Sequence, residues 1–313
     1  MRLSVSVIVA THDRAESLRR AVDSVLTQSC LPLELIVVND GDEQTPPDIA
    51  GRADAAGVTY RSLRQGRASL PAARNRAMEI SRGDVILFID DDVVLPAEYL
   101  LRLIELYELD AAGVVAGIGG RIVEPDQDRL PRRIWEALAV ALGLGRFSPR
   151  RCAGRYVALP VRLRGRLVPA RRLSGGAMSL RDRLAKSERF DERFGGYALG
   201  EDREFSFRVG RRWPLFSAPD LEALHLPAAR GRPDFRARGR MYAGNSMHIA
   251  RYSVEDGAGT RLLLAYDLAG TMILYLSFAA LRWRRTHLDF AAGVAWETLL
   301  KIRDKLRNYL CGS

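Results

Sequence analysis

The sequence has few cysteines, almost no lysine and none of the common nucleotide-binding signatures. Its three cysteines are widely spaced, which excludes a disulfide framework and a CxxC metal knuckle and fits a reducing compartment. No GxGxxG follows the first apolar run and no GxxxxGK[ST] is found, which argues against dinucleotide oxidoreductases and P-loop NTPases. A GxSxG nucleophile elbow, an internal repeat and a low-complexity segment are also missing from the sequence.

The chain does have a globular composition and a strong positive charge. Of its 313 residues 47% are hydrophobic and 27% charged, which excludes disordered and collagen-like classes and allows a sizeable core. The net charge is +10, and only three of the 48 basic residues are lysines. Such a surface attracts anions, including nucleotides, phosphates, acidic lipids and nucleic acid.

Strand and helix patterns alternate over the first half of the chain. The predicted strands are 4–10, 35–38, 58–61, 85–89 and 114–122. The predicted helices are 15–28, a short one after Pro47, 69–80 and 96–109. Apolar strands separated by helices predict an α/β fold with a mostly parallel sheet covered by helices on both faces. The apolar start is too short for a signal peptide, so a cytoplasmic protein body is expected.

Three of the predicted strands end in polar clusters. These clusters are Thr11–Arg14, Asn39–Asp42 and Asp90–Asp92. Ligands of parallel α/β sheets bind beyond the carboxyl ends of the strands, so the coincidence predicts a site there. The alternative is that acidic residues and glycine simply end strands.

The run Asp90–Asp92 places three carboxylates close together, where they raise one another's pKa unless a cation is present. A hard divalent ion with phosphate oxygens resolves this conflict, and His225 could complete its ligands. The alternatives are a solvated turn and a structural histidine. Gly175-Gly176 permits close backbone approach or forms a bulge. Glu201-Asp202 begins a predicted helix, where the dipole alone favours carboxylates.

Residues 129–172 differ from the rest of the chain. They contain twelve arginines, four prolines and a single acidic residue, Glu136. This composition predicts a loop-rich insertion, with a short helix inside the apolar stretch 134–144, that faces something anionic. A solvated arginine surface is the alternative.

The tail predicts helices of unusual character. Residues 262–281 carry one charge, Asp267, and a twenty-residue helix spans about 30 Å, enough for a bilayer core. Residues 288–310 are amphipathic and basic. Three interpretations stay open: a hairpin at or dipping into the membrane interface, a helix packed on the protein body, and a true span. The sequence thus divides into a domain over 1–256 and a helical segment over 257–313, for which membrane association is one of these interpretations.

Together the motifs resemble those of family 2 inverting glycosyltransferases with the GT-A fold. The similar segments are SVSVIVATHDR, ELIVVNDGD, LPAARNRAMEISRGDVILFIDDDVVLPAEYL, LSGGAMSLRD and FDERFGGYALGEDREFSFRV. The resemblance covers about residues 4–226 and leaves out 129–172 and the tail. It implies a GT-A type, Rossmann-like sheet, to which the helical tail predicted above adds a C-terminal appendage.

The resemblance also implies roles for individual residues. Nucleotide-sugar binding is implied for Thr11, Asp13, Arg14, Asp40, Arg74, Asn75, Asp90 and Asp91. Of these, Asp40 should contact the base, whose identity the unusual His12-Asp13 leaves open. Asp92 should bind Mg²⁺ or Mn²⁺ with His225 as second protein ligand, and Gly175-Gly176 should lie on the acceptor side. Asp202 should be the catalytic base, with Glu201 beside it.

The implied reaction is one direct displacement. A nucleotide sugar loses its nucleoside diphosphate, the cation stabilises the departing charge, and Asp202 takes the proton of the attacking acceptor hydroxyl. The expected setting is synthesis of a cell-surface polysaccharide or glycolipid, with a hexose or deoxyhexose donor. A carbohydrate or lipid-linked acceptor would be met by a cytoplasmic enzyme peripheral to the inner face of the cell membrane.

Two other functions compete with this one. A non-enzymatic basic module could bind nucleic acid or an acidic membrane, but the arginines lack interleaved aromatic residues, so no nucleic-acid partner is expected. A sugar-1-phosphate nucleotidyltransferase would need a glycine-rich opening loop, and Ala10–Asp13 stands in that place.

Overall fold

The computed structural model describes residues 2–66, 68–125, 137–138, 159–228, 233–252, 257–282 and 285–311. These residues form two compact units. The first unit holds the described residues up to Pro125 and those from 159 to 228, and the second holds 137–138 and those from 233 onward. The division after residue 256 stays a prediction of where the catalytic domain ends.

The first unit is built on a nine-stranded sheet. Its strands are β1 (Val5–Thr11), β2 (Glu34–Asn39), β3 (Thr59–Arg64), β4 (Val85–Asp90), β5 (Val93–Val94), β6 (Gly117–Val123), β7 (Val168–Pro169), β8 (Ala177–Arg181) and β9 (Leu215–His225). Its helices are α1 (Ala15–Leu26), α2 (Asp48–Ala55), α3 (Leu70–Ile80), α4 (Tyr99–Glu108), α5 (Asp182–Ser187) and α6 (Glu201–Val209). The sequence analysis did not predict α5, β5 or β7.

The sheet is mixed, and its longest parallel part is formed by strands β1 to β4. The strand order is β3-β2-β1-β4-β8-β6-β9-β5, with β7 paired to β9. Strands β1 to β4 pair in parallel, whereas β8 runs antiparallel to both β4 and β6. Strands β6 and β9 pair in parallel, and β5 and β7 each run antiparallel to β9. The predicted α/β sheet is confirmed, and its parallel order ends where β8 enters beside β4.

Both faces of the sheet are covered by helices. Successive residues of β1 point to opposite sides, so Val7 packs with Leu18 of α1 whereas Ile8 packs with Ala77 of α3. Helices α1, α2 and α4 pack on the first face, and α3, α5 and α6 on the second. This arrangement explains why the strands read as continuous apolar runs rather than alternating ones.

The parallel register brings the predicted polar clusters to one edge. Thr11 is the register partner of Asn39, and Ala10 is the partner of Asp90. The next helix toward this edge, α3, begins at Ser69, whose hydroxyl accepts from the backbone N–H of Ala72 at 3.4 Å. The loops after β1, β2 and β4 and the start of α3 therefore lie at the same edge of the sheet.

The second unit consists of α7 (Phe235–Tyr252), α8 (Ala258–Arg282) and α9 (Arg285–Cys311). Its core includes Leu268 of α8 and Phe290 of α9. Helices α7 and α9 approach closely at Gly239 and Gly293, since a Cβ at either glycine would overlap the backbone of the facing helix. The two tail helices predicted at 262–281 and 288–310 are present and longer than predicted.

The arginine-rich segment is described only in part. Residues 137–138 are helical, and the rest of the helix predicted within 134–144 lies outside the described residues. Residues 159–172 belong to the first unit, where they form a 3-10 turn at Val161–Leu163 and then strand β7.

Candidate active site

Asp91 is the buried centre of the loop after β4. Its side chain accepts from the hydroxyl of Thr11 at 2.7 Å and from Nη1 of Arg14 at 3.0 Å. Burial raises the pKa of Asp91 to about 6, although Arg14 and Thr11 oppose that shift. The side chains of Thr11, Arg14 and Asp91 thus continue the contact between β1 and β4 beyond the end of their paired register.

Asp40 organises the loop after β2. His12 Nδ1 lies 3.0 Å from Asp40 Oδ1, and the backbone N–H of Ser69 donates to Asp40 Oδ2 at 2.8 Å. Asp13 adopts a left-handed backbone conformation, with φ +51°, and its carboxylate accepts from the N–H of Glu43 at 2.8 Å. The four polar residues predicted to line the nucleotide pocket after β1 and β2, namely Thr11, Asp13, Arg14 and Asp40, therefore converge.

Arg74 of α3 joins this edge to the far side of the site. The side chain is 2% exposed and donates to Glu201 Oε1, to Asp90 Oδ1 at 3.1 Å and to the carbonyl of Gly175 at 3.0 Å. Its guanidinium lies 5.4 Å from the ring centroid of Phe190. One arginine thus connects a helix, the end of β4, the Gly-Gly turn and the start of α6.

The two glycines before β8 are required by this cluster. A Cβ at Gly175 would lie 2.8 Å from the guanidinium nitrogens of Arg74, and one at Gly176 would lie 2.9 Å from Asp90 Oδ2. At both glycines the backbone comes close to protein side chains, and the acceptor-side role of Gly175-Gly176 stays a prediction.

Asp202 lies at the start of α6 and is 6% exposed. Its Oδ2 accepts from Arg172 Nη2 at 3.0 Å and from the N–H of Gly175 at 3.2 Å, and its Oδ1 accepts from the N–H of Arg203 at 2.7 Å. Burial by itself favours the protonated acid, but Arg172 and the Gly175 N–H outweigh it, so the pKa of Asp202 is lowered. The pKa of the neighbouring Glu201 is raised by its burial and by the charge of Asp202.

Asp92, in the turn after β4, and His225, the last residue of β9, form a second polar pair. His225 Nε2 lies 3.3 Å from Asp92 Oδ2, and His225 Nδ1 lies 3.3 Å from Glu124 Oε1. The carboxylate also accepts from the N–H of Ala228 at 3.3 Å. Adjacent ligands of one octahedral ion stand about 3 Å apart, so Asp92 and His225 fit two positions of a divalent cation.

Among the described residues, no group of three or more His, Cys, Asp and Glu side chains is arranged to hold a metal. A cation bound by Asp92 and His225 would therefore need further oxygens from a ligand such as a diphosphate. That requirement matches the habit of Mg²⁺, which commonly uses one or two protein ligands together with substrate phosphates.

The side chain of Asn75 is hydrogen-bonded to the loop that precedes α6. Its amide nitrogen donates to the carbonyl of Phe190 at 3.0 Å and to Glu192 Oε1 at 2.9 Å, and its oxygen accepts from the Phe190 N–H at 2.8 Å. The side chain fastens the loop before α6 to α3. Its role beside the diphosphate or sugar stays a prediction.

Sequence reasoning missed Arg172 as a site residue. It appeared only as the last of twelve arginines in the basic segment, although it stands three residues before the Gly-Gly turn. That short spacing was the available signal. A residue three positions before Gly175 lies near the Gly-Gly turn, and the N–H of Gly175 donates to Asp202 at the start of α6.

Comparison of the sequence with known proteins finds glycosyltransferases. Residues 6–159 match the family model described as Glycosyl transferase family 2. A glucosyl-dolichyl phosphate glucuronosyltransferase of Haloferax volcanii is 33% identical over 129 residues, which cover 40% of this chain and 39% of that protein. The uncharacterized glycosyltransferase YibD of Escherichia coli is 33% identical over 96 residues, covering 30% of this chain and 28% of YibD. The matched region thus spans well under half of these relatives.

Solved structures resemble the chain over most of its length. TarS residues 1–349 from S. aureus superposes with a TM-score of 0.56 at 15% identity, covering 93% of this chain and 81% of that one. The mannosyltransferase PcManGT of Pyrobaculum calidifontis, in complex with GDP-Man and Mn²⁺, also gives 0.56 at 15% identity, covering 95% and 88%. At such identity the likeness establishes the fold, which is the GT-A type predicted from the sequence.

Proposed function

Because the chain belongs to glycosyl transferase family 2, we propose that it moves a sugar from a nucleotide-sugar donor to an acceptor hydroxyl with inversion at the anomeric carbon. The observation that carries the proposal is the convergence on Arg74. Its guanidinium bonds Asp90 on the predicted donor side and Glu201 beside the predicted base. Donor and acceptor groups would then meet at one edge of the sheet, where ligands of α/β sheets bind.

Asp202 is the proposed general base. Three hydrogen bonds from Arg172, Gly175 and Arg203 fix its carboxylate, and its lowered pKa keeps it ionised at neutral pH. An ionised, oriented carboxylate can take the proton of an acceptor hydroxyl as the new glycosidic bond forms. Glu201 pairs with Arg74 and serves as a positioning residue in this proposal.

The donor is proposed to lie across the ends of β1, β2 and β4. The polar groups there include Thr11, Asp13, Arg14 and Asp40, and the positive charge of Arg14 suits a diphosphate. The similar solved structures support this class of donor, since one is titled as a complex with GDP-Man and another with UDP-GlcNAc. A hexose or deoxyhexose is the proposed sugar.

Asp92 and His225 are proposed to hold Mg²⁺ or Mn²⁺. When bound, such an ion stabilises the charge that develops on the departing nucleoside diphosphate. The chain orients these two side chains, because Glu124 contacts the ring of His225 and the N–H of Ala228 donates to the carboxylate of Asp92.

The acceptor is proposed to be a glycolipid or polysaccharide presented at a membrane. Within the described residues one helix, Ala258–Ala280, is long and apolar enough by composition to cross a bilayer, with mean hydropathy 1.6. The exposed positions of α8 from 262 to 280 carry no charge: they are Leu262, Leu263, Ala265, Tyr266, Ala269, Ile273, Leu276, Ser277 and Ala280.

The single charge in this part of α8 faces inward. Asp267 is 2% exposed and accepts a hydrogen bond of 2.5 Å from the hydroxyl of Tyr242 on α7. The exposed face is therefore more apolar than the buried one, which is the reverse of a soluble helix. We propose that this face lies against lipid, with the arginines 261 and 285 near the headgroups.

The function is tested by a binding screen followed by a transfer assay. UDP-, GDP-, dTDP- and CMP-sugars are added with and without Mn²⁺, and the donor should raise the melting temperature by mass action. The variant Asp202→Asn should keep that shift and lose at least about a hundredfold in transfer rate. Asp54→Asn, an exposed carboxylate of α2, is the matched control. No stabilisation by any nucleotide sugar, or full transfer by Asp202→Asn, would refute the proposal.

A further inference from the structure

An exposed arginine covers the proposed catalytic base. The side chain of Arg172 is 57% exposed, whereas that of its partner Asp202 is 9% exposed. Arg172 Nη2 donates to Asp202 Oδ2 at 3.0 Å, and the N–H of Gly175 uses the same oxygen. An acceptor that approaches from solvent to reach Oδ2 therefore meets a guanidinium first.

The segment that ends at Arg172 is a strip of positive charge, which we call the arginine strip. Its exposed members are Arg162, Arg164, Arg166, Arg171 and Arg172. Leu163 and Leu167 are buried and fasten the segment to the core of the first unit. Residues 159–172 include no Asp or Glu, so the strip is not neutralised from within.

We propose that the acceptor carries a phosphate or carboxylate near its accepting hydroxyl, and that Arg172 moves its ion pair from Asp202 to that anion as the acceptor binds. The inference rests on the proposed function and names the acceptor class for the same site. A neutral acceptor would have to separate a guanidinium from a buried carboxylate without offering it another anion. An anionic acceptor replaces the lost pair, and the rest of the arginine strip attracts it.

The movement of Arg172 to the acceptor changes the basicity of Asp202 as well as the access of the acceptor to it. The charged groups that act on Asp202 include Arg172, Arg74, Glu201 and Asp90. Arg172 has the most exposed side chain of the four, at 57%, whereas Arg74 is 2% exposed and bonded to the other two. When Arg172 turns to the acceptor, Asp202 Oδ2 gains a vacant lone pair and loses its strongest positive neighbour. The carboxylate becomes a stronger base only when an acceptor is present.

The transfer step then balances without another reactant. The acceptor oxygen forms a bond to the anomeric carbon while the bond from that carbon to the diphosphate oxygen breaks. The hydroxyl proton passes to Asp202 Oδ2, and the nucleoside diphosphate leaves with its electron pair. Before acceptor binding, the pair between Arg172 and Asp202 restrains the base and so protects the donor from water.

The test compares acceptors that differ only in charge. A panel of sugars is offered as neutral octyl glycosides and as the matching glycosyl octyl phosphates, with the donor found in the binding screen. Wild-type kcat/KM should favour the phosphate member of a pair by about tenfold or more. Arg172→Gln should reduce this ratio to near one, Arg172→Lys should restore part of it, and Arg102→Gln, at an exposed arginine of α4 outside the arginine strip, should keep it. Donor-induced stabilisation should be equal in all four proteins.

The pH dependence separates this role from a structural one. The acid limb of kcat/KM reports the interacting pair Glu201 and Asp202 in the enzyme without acceptor, and that of kcat reports the same pair with acceptor bound. The kcat limb should lie at higher pH by about one pH unit in the wild type, and the two limbs should coincide in Arg172→Gln. Glycosyl methyl phosphates, which lack the octyl chain, are assayed beside the octyl phosphates. Comparing kcat/KM for the two distinguishes a soluble acceptor from a lipid-linked one.

Equal use of neutral and phosphate acceptors by the wild type would overturn the inference and leave the glycosyltransferase function standing. A retained phosphate preference in Arg172→Gln would also overturn it. Transfer to no acceptor, together with no donor binding, would instead refute the proposed function itself.

Discussion

Arg74 and Glu201 lie 127 residues apart in the chain and meet as an ion pair buried from solvent. The same guanidinium also bonds Asp90 and the carbonyl of Gly175, so its donors are shared among three chain segments. Removing one partner of such a pair leaves an uncompensated charge in the interior, which costs more than the pair itself contributes. The contact therefore couples the stability of the first unit to the geometry of the site.

Replacing Arg74 by Met should lower the free energy of unfolding by about 3–5 kcal/mol, because Glu201 and Asp90 lose their counter-charge. Urea unfolding measures the change. The double variant Arg74→Met, Glu201→Gln should recover part of the loss, since it removes the stranded carboxylate. Arg76→Met, an exposed arginine of the same helix, is the control. A loss below about 1 kcal/mol would contradict the proposed coupling.

Asn75→Ala should lower the free energy of unfolding by roughly 2–4 kcal/mol, because both backbone groups of Phe190 lose their partner. The nucleotide-dependent rise in melting temperature should change little if Asn75 fastens the loop. A loss of that rise with little loss of stability would instead support the direct role beside the donor that the sequence motif implies.

His225→Gln should weaken Mn²⁺ binding in the presence of the cognate nucleoside diphosphate. The Mn²⁺ affinity should fall by at least about tenfold, which is the lower end of the effect seen when a residue that contacts a metal ligand is changed. Calorimetric titration of Mn²⁺ into the protein with bound nucleotide reports this without any turnover. His248→Gln in α7 of the second unit is the control. Unchanged Mn²⁺ affinity would exclude His225 as a ligand.

Leu262→Glu combined with Ile273→Glu should reduce binding to vesicles of mixed phosphatidylglycerol and phosphatidylcholine by at least about tenfold. Each change removes a large apolar side chain, worth about 1.5–3 kcal/mol when fully buried, from the proposed lipid contact. Sedimentation with vesicles measures the bound fraction. Leu31→Glu with Leu33→Glu, two exposed leucines of the first unit, should leave it unchanged. Equal loss in both variants would show that α8 has no special part in membrane binding.

Much of the first unit could be predicted because its signals are local. Three of the predicted strands end in polar clusters, and the prediction from these ends placed Thr11, Asp40 and Asp91 at one edge. The parallel register then brought Thr11 within 2.7 Å of Asp91. By contrast, α7 was not predicted, because its glycine and arginine content hides the apolar stripe that packs on α9.

The sequence by itself determined the alternation of the longer strands and helices in the first half of the chain, the polar ends of three strands and the apolar character of α8, since periodicity and chain-adjacent residues encode them. Only the tertiary structure decided that Arg172 covers Asp202, that Asn75 holds a loop, and that Asp267 faces Tyr242. Each of these contacts joins residues between 25 and 115 positions apart. Side-chain partners at such separations depend on how the elements pack, which no local pattern records.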